Sequence, residues 1–260
     1  MKFPVIFSAA AGLLVLAGCS SEAEEAGQSE EESVEINVAA AADLYHAFTE
    51  VGKDFEEDTD IIVTFSFGST GLMTQQIEQG ASYDLFAAAH ESYIDRLIDA
   101  EAVEADSKRQ YALGQIGIMH DGSIQESLEP ADLTSDEIER IAIANPEHAP
   151  YGQAAKEALE SWGIWDEVQG KLVYGENIRQ TLQYTESGDV DAGIIALALS
   201  KQSDLLYEPI DTEDYEPITQ ALAVPSRSPH PEEARQFVDY LFSEEGRETM
   251  NEYGFELPEE

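Results

Sequence analysis

The chain of 260 residues carries 13 Lys and Arg against 54 Asp and Glu, a formal charge of −41. Nucleic acid is excluded as a partner, because phosphate binding needs clustered cations. The 43% hydrophobic content suffices for one large or two modest domains, and a single cysteine excludes an intrachain disulfide framework or a multi-cysteine metal centre. The acidic charge is spread along the whole chain and opposes long-range attraction of an anion. It reads as adaptation to a salty medium, where repulsion is screened within about 10 Å.

The first element is a targeting segment. Lys2 precedes a mostly apolar run over residues 3–17, too short for a comfortable membrane span. Leu16-Ala17-Gly18-Cys19 follows and resembles a bacterial lipobox, which assigns residues 1–18 to a signal peptide and Cys19 to lipidation. Residues 19–33 are rich in Glu and Ser and have no large apolar side chain, so they form a solvated acidic tether.

From Val34 short strands alternate with helices. VEINVAA (34–40) is a strand, and residues 43–57 form an amphipathic helix with Leu44, Ala47, Phe48, Val51 and Phe55 on one face. IIVTFSF (61–67) alternates as a buried strand does and stops at Gly68-Ser69-Thr70-Gly71, after which a helix begins. A strand that turns into a helix through two hydroxyl residues exposes unpaired N–H groups at the positive end of the helix dipole. That is either an anion site or an ordinary Ser/Thr cap. Residues 83–89 give a third strand and 91–100 a third helix, and this order predicts a parallel sheet with ligands beyond the carboxyl ends of its strands.

Tyr111–His120 reads as one longer extended segment. A second β/α lobe follows, with strands at 140–146, 171–175 and 191–198 and helices at 154–162 and from Asn177. Residues 215–225 return to the first lobe, followed by helices at 231–242 and 244–253. The domain division is therefore 34–112 with 206–260 as lobe 1 and 113–205 as lobe 2, joined by two extended crossings that make a hinge with a cleft.

At this point the motifs AAAADL (39–44), SFGSTG (66–71), YDLFAAA (83–89), ANPEHAPYG (144–152) and GFELP (254–258) stand in an order that resembles the periplasmic molybdate-binding proteins of ABC importers. The resemblance covers residues 34–258. It implies a two-lobed periplasmic-binding-protein fold of type II, α/β, with two mixed or parallel sheets and no enzymatic activity. It also implies capture of molybdate or tungstate in the cleft and no cofactor. The implied partners are an inner-membrane permease and its ATPase, served by a monomer held outside the cytoplasm by its lipid. Carried over by position, the oxyanion contacts fall at Ala42, Asp43, Ser69, Thr70, Tyr151 and Ile178, the last through its backbone only. A further tyrosine of some relatives is replaced here by Ala196, and the resemblance to other branches of the family implies that the Tyr151 phenol takes its place.

A deprotonated tetrahedral dianion needs donors only, and neutral N–H and O–H groups can supply them without a buried cation. Asp43 departs from the Ser or Asn of many relatives. Its side chain either caps its own helix or accepts a proton from the ligand, which would suit hydrogen phosphate. Phosphate or sulfate is the alternative guest. A hydrolase is the alternative of another class, with Ser69 as nucleophile and His90 as a spatial base, but no G-x-S-x-G elbow or two-His helical spacing supports it. His148 reads as structural.

Overall fold

The computed structural model describes residues 33–256. The expected signal peptide, Cys19, nearly all of the tether and the last residues of the GFELP tail lie outside the described residues. The elements in chain order are β1 (Glu35–Ala41), α1 (Tyr45–Thr59), β2 (Ile62–Gly68), α2 (Thr70–Glu78), β3 (Leu85–Ala88), α3 (Glu91–Asp99), β4 (Arg109–Gly114) and β5 (Ile116–His120). They continue with β6 (Ile141–Ala144), α4 (Pro150–Ser161), α5 (Trp165–Val168), β7 (Leu172–Gly175), α6 (Ile178–Glu186), β8 (Ala192–Ala196), α7 (Leu197–Ser200) and β9 (Leu206–Pro209). The last are β10 (Ile218–Ala223), α8 (Pro231–Leu241) and α9 (Glu244–Glu252).

Two five-stranded sheets result, ordered β2-β1-β3-β10-β4 and β7-β6-β8-β5-β9. In the first, β1 pairs in parallel with β2 and β3, and β10 runs antiparallel between β3 and β4. In the second, β6 pairs in parallel with β7 and β8, and β5 runs antiparallel between β8 and β9. Each sheet is therefore mixed, as the two-lobed fold requires.

The structure departs from the sequence reading in three places. Residues 111–120 are not one strand: they break at Gln115, with β4 in the first sheet and β5 in the second. Leu206–Pro209, expected in lobe 1, pairs with β5 in the second sheet, so the return crossing lies after Pro209. β2 is an edge strand, with Ile62 exposed, and not a buried one.

The apolar stripe of α1 explains how lobe 1 closes. Ala47, Phe48, Val51 and Phe55 are buried on it, as is Leu44 just before it. Phe48 and Phe55 meet Phe237 of α8 at ring-centroid separations of 5.9 and 5.3 Å. Phe65 of β2 lies 6.0 Å from the same ring. Edge-to-face aromatic packing of this kind adds to area burial. In lobe 2 the β-branched runs of β5, β6 and β8 are buried on both faces, which is why Ile141–Ala144 and Ala192–Ala196 read as continuous apolar strings.

Candidate functional site

Four chain turns converge at the junction of the sheets. After β1, Ala42-Asp43-Leu44 makes a buried 3₁₀ turn into α1. After β2, Ser69 precedes α2, which begins at Thr70. From the other lobe, α4 begins at Pro150 with Tyr151 in its first turn, and α6 begins at Ile178. Pro at the first helical position lacks the N–H that would be orphaned there and presets the helical φ. Ala42, Asp43, Ser69, Thr70, Tyr151 and Ile178 all line one cavity of about 10 Å³. A cavity of that size holds about one water molecule, so its guest is small. Ala196, at the end of β8, does not line it.

The donors are neutral. Thr70, Tyr151 and Ile178 stand in first turns, where N–H groups have no acceptor within the helix, and no other group takes them among the described residues. The Asn177 side chain caps α6 by accepting from the N–H groups of Arg179 and Gln180 at 3.1 and 3.0 Å, which leaves that of Ile178 aside. Thr70 Oγ1 accepts from the Ala89 N–H at 3.1 Å, so its own hydrogen is left for another acceptor. No Lys or Arg lines the cavity among the described residues.

Ser69 behaves otherwise. It makes no cap of α2. Its hydroxyl donates across the cleft to the His148 carbonyl at 2.8 Å, and its Oγ lies 2.7 Å from His148 Nδ1. The pattern is complete when Nδ1 carries the proton and donates back. The Gly71 N–H donates to the same carbonyl at 2.9 Å. A Cβ on Gly71 would come within 2.7 Å of that oxygen, so this approach of the lobes needs glycine. His90 is not the base beside Ser69: its ring caps α3, accepting from the Ser92 N–H at 3.2 Å.

Asp43 does not cap its helix. Its Oδ2 accepts from the Tyr151 hydroxyl at 2.9 Å and from Gln220 Nε2 at 2.8 Å, and Gln220 Oε1 accepts from the Tyr111 hydroxyl at 2.6 Å. The set is buried, and Asp43 Oδ1 has no partner among the described residues. Burial pushes the Asp43 carboxyl up to about 6 against the opposing pull of its hydrogen bonds from Gln220 and Tyr151. The phenols of Tyr151 and Tyr111 are pushed well up by burial and then by the adjacent Asp43 charge. Gly114, at the end of β4, gives Tyr151 room: a Cβ there would lie 2.5 Å from the phenol oxygen.

Gln220 and Tyr111 were not among the residues that sequence reasoning singled out. The signal for Gln220 was an amide set among apolar neighbours in ITQALA, a strand whose register against β4 shifts between Gln220 and Ala221. Such a shift turns a side chain toward a site.

The family of bacterial extracellular solute-binding proteins matches residues 36–256. A putative ABC transporter substrate-binding lipoprotein, YvgL of Bacillus subtilis, is 32% identical over 259 residues, 98% of either chain. The molybdate-binding protein ModA of Azotobacter vinelandii is 30% identical over 230 residues, 87% of this chain and 91% of that one. A solved periplasmic molybdate-binding protein of Azotobacter vinelandii superposes with a TM-score of 0.81 at 26% identity, over 86% of this chain and 100% of its own.

Proposed function

Because the chain belongs to the bacterial extracellular solute-binding protein family, we propose that it captures molybdate or tungstate outside the cytoplasm and delivers it to an ABC permease. One observation carries this reading: a small cavity at the meeting of two lobes gathers free N–H donors from both, the Thr70 O–H from one, and no cation among the described residues. A dianion without protons is the guest that such a shell suits, since every contact it makes is as an acceptor. The names of relatives at 30% and 26% identity point to the same oxyanion. Ala42 and Asp43 at one turn, Ser69 and Thr70 at the next, and Tyr151 and Ile178 from the facing lobe are the proposed contacts. Ser69 contributes there through its place in the turn, its hydroxyl being held by His148.

The anion would bind one lobe, the lobes would close, and the closed form would dock on the permease that an ATPase drives. Lipid on Cys19 would hold the receptor at the membrane, with residues 20–33 giving it reach.

Hydrogen phosphate is the competing guest, favoured by the unpartnered Oδ1 of Asp43, which in its ionised form would accept a proton. Thermal unfolding with micromolar molybdate, tungstate, sulfate and phosphate separates them. Molybdate and tungstate are expected to raise the melting temperature by mass action. A rise with phosphate alone would overturn the assignment.

A further inference from the structure

Asp43 is a carboxyl group where an anion is expected, and its surroundings define what it can do there. Its side chain is buried, it lines the cavity, and one oxygen is saturated by Tyr151 and Gln220 while the other has no partner among the described residues. Two negative groups forced into one dry site repel strongly, and the repulsion is relieved when one takes a proton. Oδ1 is the free position for that proton, because Oδ2 already accepts two hydrogen bonds.

Resting on the anion-binding reading above, we propose that Asp43 is a specificity-determining residue that holds the oxyanion as a neutral carboxylic acid. Its Oδ1–H donates to an oxygen of the guest, and one proton is taken up from solvent with each dianion bound. The bond formed is Oδ1–H, and the negative charge of the carboxylate is neutralised as that of the guest enters. The site then gains a donor where an ionised carboxylate would supply an acceptor, and a guest that must itself donate, as hydrogen phosphate does, loses its partner.

The groups around Asp43 leave this role to it. β4 and α4 bring the phenols of Tyr111 and Tyr151, both held in the neutral form, and β10 brings the neutral amide of Gln220. β2 and α7 carry no ionisable side chain. α1 adds Tyr45 and His46, and the His46 ring is lowered by burial and then by Arg179. α6 adds Arg179, Tyr184 and Glu186, with the Arg179 guanidinium stacked 3.4 Å over the Tyr45 ring. No cation is in hydrogen-bonding contact with the Asp43 carboxyl among the described residues.

The sign follows from linkage. The carboxyl of the empty site titrates near 6, and the dianion raises it further. Affinity is therefore greatest and flat below the lower value, and falls by up to about tenfold per pH unit above it until the raised value is passed.

Titration calorimetry with molybdate in buffers of different ionisation enthalpy counts the protons. The wild type is expected to take up close to one proton per anion at about pH 7.5 and far fewer at about pH 5, where the empty site is already protonated. Asp43→Asn, whose amide can accept from Tyr151 and Gln220 and donate toward the guest, is expected to lose both the uptake and the pH slope. Molybdate bound by the wild type with no proton uptake and a flat pH profile overturns the proposal while leaving the anion-binding reading in place. An Asp43→Asn variant that keeps the full uptake also overturns it. If neither molybdate, tungstate, sulfate nor phosphate binds the wild type, the reading of the site fails and the proposal fails with it. Should the variant not fold, the wild-type proton count decides alone.

Discussion

Thr70 does two things with one hydroxyl: Oγ1 receives the Ala89 N–H at 3.1 Å, and the hydrogen remains for a guest in the cavity. Thr70→Val keeps the shape and removes both. The Ala89 N–H then loses its acceptor, at a cost of about 1–2 kcal/mol, and a charged guest loses a donor. Molybdate affinity measured by calorimetry is expected to fall more than about tenfold, with a modest drop in urea stability. At this scale the turn that carries Ser69 and Thr70 was legible as a strand running into a helix, whereas Ala42, Asp43, Tyr151 and Ile178 came from the family resemblance, carried over by position. The hydrogen bonds of Asp43 were legible in neither way. Gln220 is 177 positions away along the chain and Tyr151 is 108, and no local periodicity encodes a hydrogen bond of that span.

Among the elements, α8 shows how the end of the chain completes the beginning. Phe237 fills the space between Phe48 and Phe55 of α1 and Phe65 of β2, and it is fully buried. Phe237→Ala leaves a cavity among rings that cannot collapse onto it, so urea denaturation is expected to show a loss of about 3–5 kcal/mol. The strand and helix order from β1 to α3 was readable because the amphipathic stripe of α1 and the apolar string of β3 carry strong periodicities. β9 was not, being four residues, LYEP, with no fully buried position. The break at Gln115 was hidden for another reason: YALGQIGIMH is extended on both sides of it, and nothing in an extended pattern says that its halves belong to different sheets.

For the whole molecule, the two lobes meet through polar contacts beside the cavity as well as through apolar packing, one buried cluster taking in Ala42 and Leu44 from one lobe and Ala149, Tyr151 and Ile178 from the other. Gly71 to His148, Ser69 to His148 and Tyr151 to Asp43 each join one lobe to the other. Gly71→Ala would drive a methyl into the His148 carbonyl at 2.7 Å, a backbone atom that cannot swing aside. Each lobe is expected to stay folded, while molybdate binds at least about tenfold more weakly and small-angle scattering no longer shows compaction on adding the anion.

The route of the chain between the sheets limits how they can part. β4 reaches β5 through Gln115 alone, and the return path from β9 runs to β10, which lies beside β4 just as β9 lies beside β5. Two tethers side by side resist torsion of one half about the other and resist sliding, since either motion would stretch one of them. Bending across the pair is the soft degree of freedom that survives. A transport machine that holds both halves therefore has one coordinate to work against, and a small lever motion at their outer ends is enough to uncover the cargo.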